Sequence, residues 1–270
     1  RVIAHIKNPS EEVQLAAVTN IGVAIGEITN PSEKVQIAAV NVDGRVIAHI
    51  KNPSEEVQLA AVKRGPSAIQ YIRNPSEELQ LLAVQTRGNC IEFIRKPSLA
   101  VQMAAVSGPN ASDAIYHITA PSAEVKMAAI VNNPFALRYI KSPTKAMKRA
   151  AVSADGNAIS HFLNPDNELQ MLAVSNRPVA IKNITNPCRD AKLIAVILDP
   201  NALHFITDPD FALQLAGAGQ VAWAMQYVKR PSNELQLVAI KRDPESFHMI
   251  KKPTVPARNL YEALTSKVGQ

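Results

Sequence analysis

"IKNPSEEVQLAAV" occupies Ile6–Val18, and the same thirteen residues return unchanged at Ile50–Val62. A near copy, "ITNPSEKVQIAAV", stands between them at Ile28–Val40. The prolines carry the pattern onward. Pro9, Pro31, Pro53, Pro75 and Pro97 are 22 residues apart, Pro121 comes after 24, and Pro143, Pro165, Pro187, Pro209, Pro231 and Pro253 resume the step of 22. Self-similarity at a fixed period of this size marks a tandem-repeat architecture and takes precedence over other readings of the fold. Twelve copies make residues 1–270 a single repeat array, with the two extra residues inserted in "SGPNAS", 107–112.

One copy, "RVIAHIKNPSEEVQLAAVKRGP" at Arg45–Pro66, shows what a repeat is. Asn52 is placed to cap a helix with Pro53 at its first position, where a missing N–H leaves no bond unmade. Glu55 then falls where it can reach back to the cap and favour the positive helix end. "PSEEVQLAAV" reads as a helix of about three turns, and "KRGP" breaks it. A short helix comes next at Ser67–Ile72. Neither is stable alone, because isolated short helices are marginal in water. Ile3, Ile25, Ile47, Ile69, Ile91 and Ile115 align in one column of the short helix, with Ile6, Ile28, Ile50, Ile72, Ile94 and Ile118 three residues on. In the longer helix Val57, Leu59, Ala60, Ala61 and Val62 leave little polar surface, as expected of a helix sandwiched between neighbours. The fold expected is all-α: a right-handed α-solenoid of twelve 22-residue two-helix repeats.

The NPSxEVxLAAV pattern resembles the short tandem NPSEE-type helical repeats of phage and bacterial proteins. It is also similar to the leucine-rich-repeat-variant family, whose units alternate a short helix with an α-helix. HEAT-like α-solenoids resemble it by architecture only. The likeness is weakest at "DPDFALQLAGAG" and at "KPTVPARNLYEAL". It implies a fold and no reaction. It also implies a structural or assembly role in a phage particle as one alternative. The identical copies point to duplication among repeats that can stack on one another.

Composition bounds the rest. Hydrophobic content is 47% with only 4% aromatic residues, so the core is built from Ala, Ile, Leu and Val. The net charge of +6 is uneven: residues 1–110 carry 11 basic and 10 acidic side chains, residues 111–270 carry 18 and 13. Such a bias permits nucleic acid without demanding it. Cys90 and Cys188 are too few and too distant for a metal cluster. Both are expected reduced, in a cytoplasmic setting (host cytoplasm or virion for a phage protein). No apolar run reaches 18 residues, so no membrane span is expected. The chain opens at Arg1 in mid-repeat, which suggests preceding residues or end-to-end self-association through that face. The last repeat, 245–270, departs from the pattern and adds Glu262 and Lys267, as a solvent-facing cap would.

Candidate site residues lie where copies differ. His5, His49, His117 and His161 share a column with Tyr71, Phe93, Tyr139, Phe205 and Tyr227. This column is either an aromatic ladder for gripping a partner or a half-buried flank of the short helix. Gln14, Gln36, Gln58, Gln80, Gln102, Gln170, Gln214 and Gln236 form another column, expected to bond loop backbone between repeats. Lys126, Lys148, Lys192 and Arg258 replace Gln there. Arg149 stands in a leucine column, where a buried lone charge would be costly. A groove in repeats six to nine would therefore use Lys126, Lys148, Arg149 and Lys192 with His117, Tyr139 and His161. Lys7, Lys51, Arg73, Arg95, Lys141 and Lys229 end the short helices, a placement that suits the helix dipole. No HExxH, GxSxG or Walker loop occurs, so no enzymatic role and no cofactor is expected. The function expected is a non-enzymatic scaffold binding a protein partner along an extended surface, with a nucleic-acid-binding superhelix as the alternative.

Overall fold

The structure is a computed structural model and describes residues 2–111 and 113–266. Among these residues it is helical without strands: twelve short 3-10 helices alternate with twelve α-helices. They fall into two compact units, residues 1–141 and 142–270. Within each unit every α-helix packs on the next, and consecutive 3-10 helices do the same. Each unit therefore has an α layer and a 3-10 layer with the apolar columns between them.

Repeat three shows the construction. Its 3-10 helix is Gly44–His49 and its α-helix is Glu55–Arg64. Ile47 is buried in the first, and Val57, Ala61 and Val62 are buried in the second. Each buried Ile or Val contributes about 1.5–3 kcal/mol relative to exposure. A 3-10 helix brings residues i and i+3 into line, so Ile47 and Ile50 point to the same side and are both buried. Alanine at 61 keeps the neighbour close. The carbonyl of Ala61 would lie 2.3 Å from a β-carbon placed on Gly44, so the preceding 3-10 helix begins where only a glycine hydrogen fits.

The cap is Ser54, not Asn52. The Ser54 hydroxyl accepts from the Val57 amide at 3.3 Å, and the helix begins at Glu55. Asn52 sits two residues earlier with φ 48°, in the left-handed region. Asn8, Asn30 and Asn74 do the same, and asparagine tolerates this conformation better than other side-chain-bearing residues. Asn-Pro thus sets the turn, and Ser-Glu starts the helix. Pro53 precedes the cap and does not occupy the first helical position.

Neighbouring repeats are tied at this same point. The Ser32 hydroxyl donates to the Glu11 carboxylate, Ser54 to Glu33 and Ser98 to Glu77. Thr254 repeats the bond with Asn233 as acceptor, at 2.6 Å. The glutamate therefore serves the next repeat's cap and does not close a capping box on its own.

The glutamines bond loop backbone as expected, but chiefly within their own repeat. The Gln58 Nε2 donates to the Pro53 carbonyl of its own repeat at 2.9 Å, and the bond recurs for the other seven. Two also reach the next repeat: the amides of Cys188 and Thr254 donate to Oε1 of Gln170 and Gln236.

The insertion shortens the 3-10 helix of repeat six. The α-helix Leu99–Ser107 is succeeded by a 3-10 helix of only four residues, Ala114–His117. Asn110 and Asn132 side chains bond the carbonyls of Thr86 and Gly108 across it. Ser112 lies outside the described residues, as do Arg1 and Lys267. In the last repeat Tyr261 takes the alanine column and stacks on Phe247 at 4.3 Å, while Glu262 takes the valine column and is exposed. At the other end Val13 is 41% exposed, whereas its counterparts Val35 and Val57 are fully covered.

Candidate functional site

The end of each 3-10 helix, the loop to the α-helix and the glutamine one turn into it together shape a groove. It is clearest in three places. In the N-terminal unit a groove of about 660 Å³ is lined by Tyr71, Arg73, Asn74, Gln80, Phe93 and Arg95. Another, of about 520 Å³, includes Glu27, Gln36, His49 and Lys51. In the C-terminal unit the groove holds about 750 Å³ between Phe205, Asp208, Gln214, Tyr227, Lys229, Arg230 and Lys251. The register is the same each time: the ring-column residue of one repeat, the glutamine of that repeat's α-helix and the ring-column residue of the next; two of the grooves have a ring at both ends, and the third has Glu27 and His49. The aromatic and glutamine columns thus meet at a solvent-open groove in each unit, at Gln36 and Gln80 in the first and at Gln214 in the second, while Gln170 and Gln236 are buried.

The rings on this surface are accessible. Tyr71 is 45% exposed and Phe205 40%. The residue two positions before each ring is buried, Ile69 before Tyr71 and Leu203 before Phe205. A half-exposed ring over a packed base is a rigid contact surface with little entropy to lose on binding.

The candidate residues divide between the units. His117, Lys126 and Tyr139 belong to the N-terminal unit and keep the groove register. There the phenol of Tyr139 donates to Asp113 Oδ1 at 2.9 Å, and Arg138 donates to the same oxygen at 3.0 Å and to the phenol at 2.6 Å. Tyr116, 68% exposed, sets its ring 5.4 Å from Tyr139 and 5.2 Å from His117. His117 Nδ1 lies 3.7 Å from Glu92 Oε2. This cluster is knotted by its own polar bonds, and Tyr116 escapes a reading of the sequence because it stands one position off the aromatic column.

Lys148, Arg149, His161 and Lys192 belong to the C-terminal unit. Lys148 is half-buried with its ammonium 5.5 Å from the Phe162 ring, a cation–π contact. Lys192 is half-buried and His161 exposed. Arg149 corrects an expectation: it is exposed, and its guanidinium pairs with the Glu168 carboxylate of the next repeat, which Lys145 also reaches at 2.8 Å. The leucine column it occupies faces outward, since Leu59 is 40% exposed. No desolvation penalty attaches to a charge there, and its partner is already supplied.

The strongest feature reads in the sequence as a helix-dipole placement. Arg73, Arg95 and Lys229, placed to suit the helix dipole, also line the grooves together with Arg230 and Lys251, which the sequence did not single out, and among the described residues none of the five makes an ion pair. Finding them requires knowing that a loop of one repeat and a ring of the next share a wall.

Both cysteines are free, Cys90 buried and Cys188 half-buried. Burial pushes the Cys90 thiol up to about 11, so it stays protonated and unreactive at neutral pH. No group of three or more potential metal ligands occurs among the described residues, and no helix among them is long and apolar enough to cross a membrane. Comparison with protein-family models, with curated proteins and with solved structures returned no match.

Proposed function

We propose that this chain is a non-enzymatic repeat scaffold, an α-solenoid that holds an extended protein partner along the grooved surface. The recurrence of the groove at one register, with exposed rings and unpaired cations, carries the reading. A surface that repeats a ring, an amide and a cation suits a partner that is itself extended and periodic.

The charge pattern favours polypeptide over nucleic acid. A nucleic acid carries a phosphate at every step, and its binders track it with continuous positive charge. Here the loop position is cationic at Lys7, Lys51, Arg73, Arg95, Lys141, Lys229 and Lys251, but Thr29, Thr119, Leu163, Thr185 and Thr207 interrupt it in the other repeats, so the positive charge is not continuous. Glu27 and Asp208 line two of the grooves. A polypeptide can place its charges at separate points and its apolar side chains between them.

A displayed random-peptide library panned on the full chain tests this, alongside fluorescence anisotropy with a labelled oligothymidylate over a salt series. Enriched peptides that bind at physiological salt, with oligothymidylate binding weaker there, are the expected result. Oligothymidylate binding that falls steeply with salt, with no peptide enriched, would assign the surface to nucleic acid.

A further inference from the structure

The groove of repeats four and five differs from the others in having no acidic wall. Tyr71, Arg73, Phe93 and Arg95 line it with the amides of Gln70, Asn74 and Gln80, and no carboxylate is among the lining residues. The two repeats contribute the same module, ring–isoleucine–arginine, as Tyr71–Ile72–Arg73 and Phe93–Ile94–Arg95. Ile72 and Ile94 are buried, so each ring and each arginine is anchored on a fixed backbone step.

Two unpaired arginines in one groove without a carboxylate on its walls set this place apart. Five surface arginines have carboxylates of their own: Arg45 with Asp43, Arg138 with Asp113, Arg149 with Glu168, Arg177 with Asp155 and Arg189 with Asp210. Arg64, Arg87, Arg230, Arg242 and Arg258 make no such pair among the described residues, and of these only Arg230 lines one of the three grooves, where Asp208 lines it too. Arg73 and Arg95 have none among the described residues. A guanidinium is a flat fork of donors that matches a carboxylate with two parallel bonds. Here the forks face a groove whose remaining walls are two half-exposed rings and neutral amides.

We infer that this groove reads an extended acidic segment of a protein partner, in which carboxylates that pair with Arg73 and Arg95 alternate with apolar side chains that lie against Tyr71 and Phe93. This rests on the scaffold reading and names the chemistry of the partner at one place. In an extended strand successive side chains point to opposite sides. Alternation therefore lets one side of the segment meet the arginines while the other covers the rings. Arginine at both positions, with a ring two residues before each, makes the demand for a carboxylate and an apolar neighbour a paired one.

The probes are short fluorescein-labelled peptides in which glutamate or lysine alternates with leucine, and a labelled oligothymidylate of similar length. The full chain should bind the glutamate peptide and not the lysine peptide. Arg73→Gln with Arg95→Gln should weaken the glutamate peptide by about tenfold or more, as loss of charge-assisted bonds requires. Tyr71→Ala with Phe93→Ala should weaken it as well. Lys63→Gln with Arg242→Gln, on α-helix ends outside the groove, should leave it unchanged, and the melting curves of both glutamine pairs should match the wild type. Equal binding by the Arg73/Arg95 variant, or equal binding of the lysine peptide, would overturn the inference. A panned peptide without acidic residues that binds where the glutamate peptide does not would also overturn it, and would leave the scaffold reading standing. Oligothymidylate bound more tightly than the glutamate peptide, and lost in the same variant, would overturn both.

Discussion

Repeat three and repeat ten build one backbone from different residues. The first is the consensus, with Asn52, Ser54, Ile47 and Ala61. The second, with the 3-10 helix Pro200–Phe205 and the α-helix Phe211–Ala218, puts Asp208, Asp210, Leu203 and Gly217 at the same positions. Asn52 and Asp208 adopt φ 48° and 49°. Ser54 and Asp210 both cap, accepting from Val57 and Leu213 at 3.3 and 2.9 Å. In the core the change is reciprocal: a β-carbon on Gly217 would lie 2.2 Å from Leu203 Cδ1. Leucine has moved into the space that alanine fills elsewhere. The repeat is therefore defined by what each position must do, and in repeat ten the departure at the isoleucine column is met by one at the alanine column, whereas repeat seven keeps Ala151 with Leu137.

The comparison breaks most severely at the core. Ile47→Ala and Leu203→Ala should each destabilise their repeat by about 2–5 kcal/mol, read by hydrogen exchange of the flanking amides. Equal loss in both would show that the two packings are equivalent; a smaller loss at Leu203 would show a looser repeat ten.

The reciprocal pair gives the next effect. Gly217→Ala alone should cost about 1–3 kcal/mol by overpacking, although alanine is the better helix former. Leu203→Ile in the same chain should remove that cost, and a double-mutant cycle measures the coupling. Additive effects would mean that Leu203 does not fill the alanine space.

Removing a cap acts on both repeats alike. Ser54→Ala and Asp210→Ala should each lose about 1 kcal/mol, seen as faster exchange in the first turn. Moving the left-handed residue sharpens the comparison in both directions. Asn52→Ala should destabilise by about 1 kcal/mol, and Ala120→Asn, where alanine holds φ 51°, should recover a similar amount.

The smallest effect belongs to the exposed pair Arg45 and Asp43. Hydrogen bonds from Arg45 hold the Asp43 carboxyl below its ordinary range. A lowered folded value means that any contribution is present above the unfolded value and is lost as pH falls through the folded one. Both side chains are open to water, so Arg45→Ala should leave the melting midpoint unchanged at neutral pH.

The period, the helix pairs and the isoleucine columns are legible in the sequence because they are local and repeat twelve times. The helix start is not. "NPSE" contains two residues able to cap, and only the sign of φ at Asn52 separates a turn residue from a cap. Arg149 misleads for a related reason: a column of leucines looks like core, but on a helix layer with one open face it is the outer flank. The groove is hidden more deeply. Arg73 and Arg95 do satisfy the helix-dipole reading, and their second role appears only when the loop of one repeat is seen beside the ring of another.

The Ser–Glu bonds between repeats join residues 21 positions apart, and within each unit every helix touches only its own repeat and the adjoining ones. Most contacts therefore span at most about one repeat, 22 residues in a chain of 270, a relative contact order of roughly 0.08 or less, in the range of the fastest-folding helical proteins. Little loop-closure entropy precedes each new contact. During synthesis a repeat can dock as soon as it emerges, because the surface it needs has already been made.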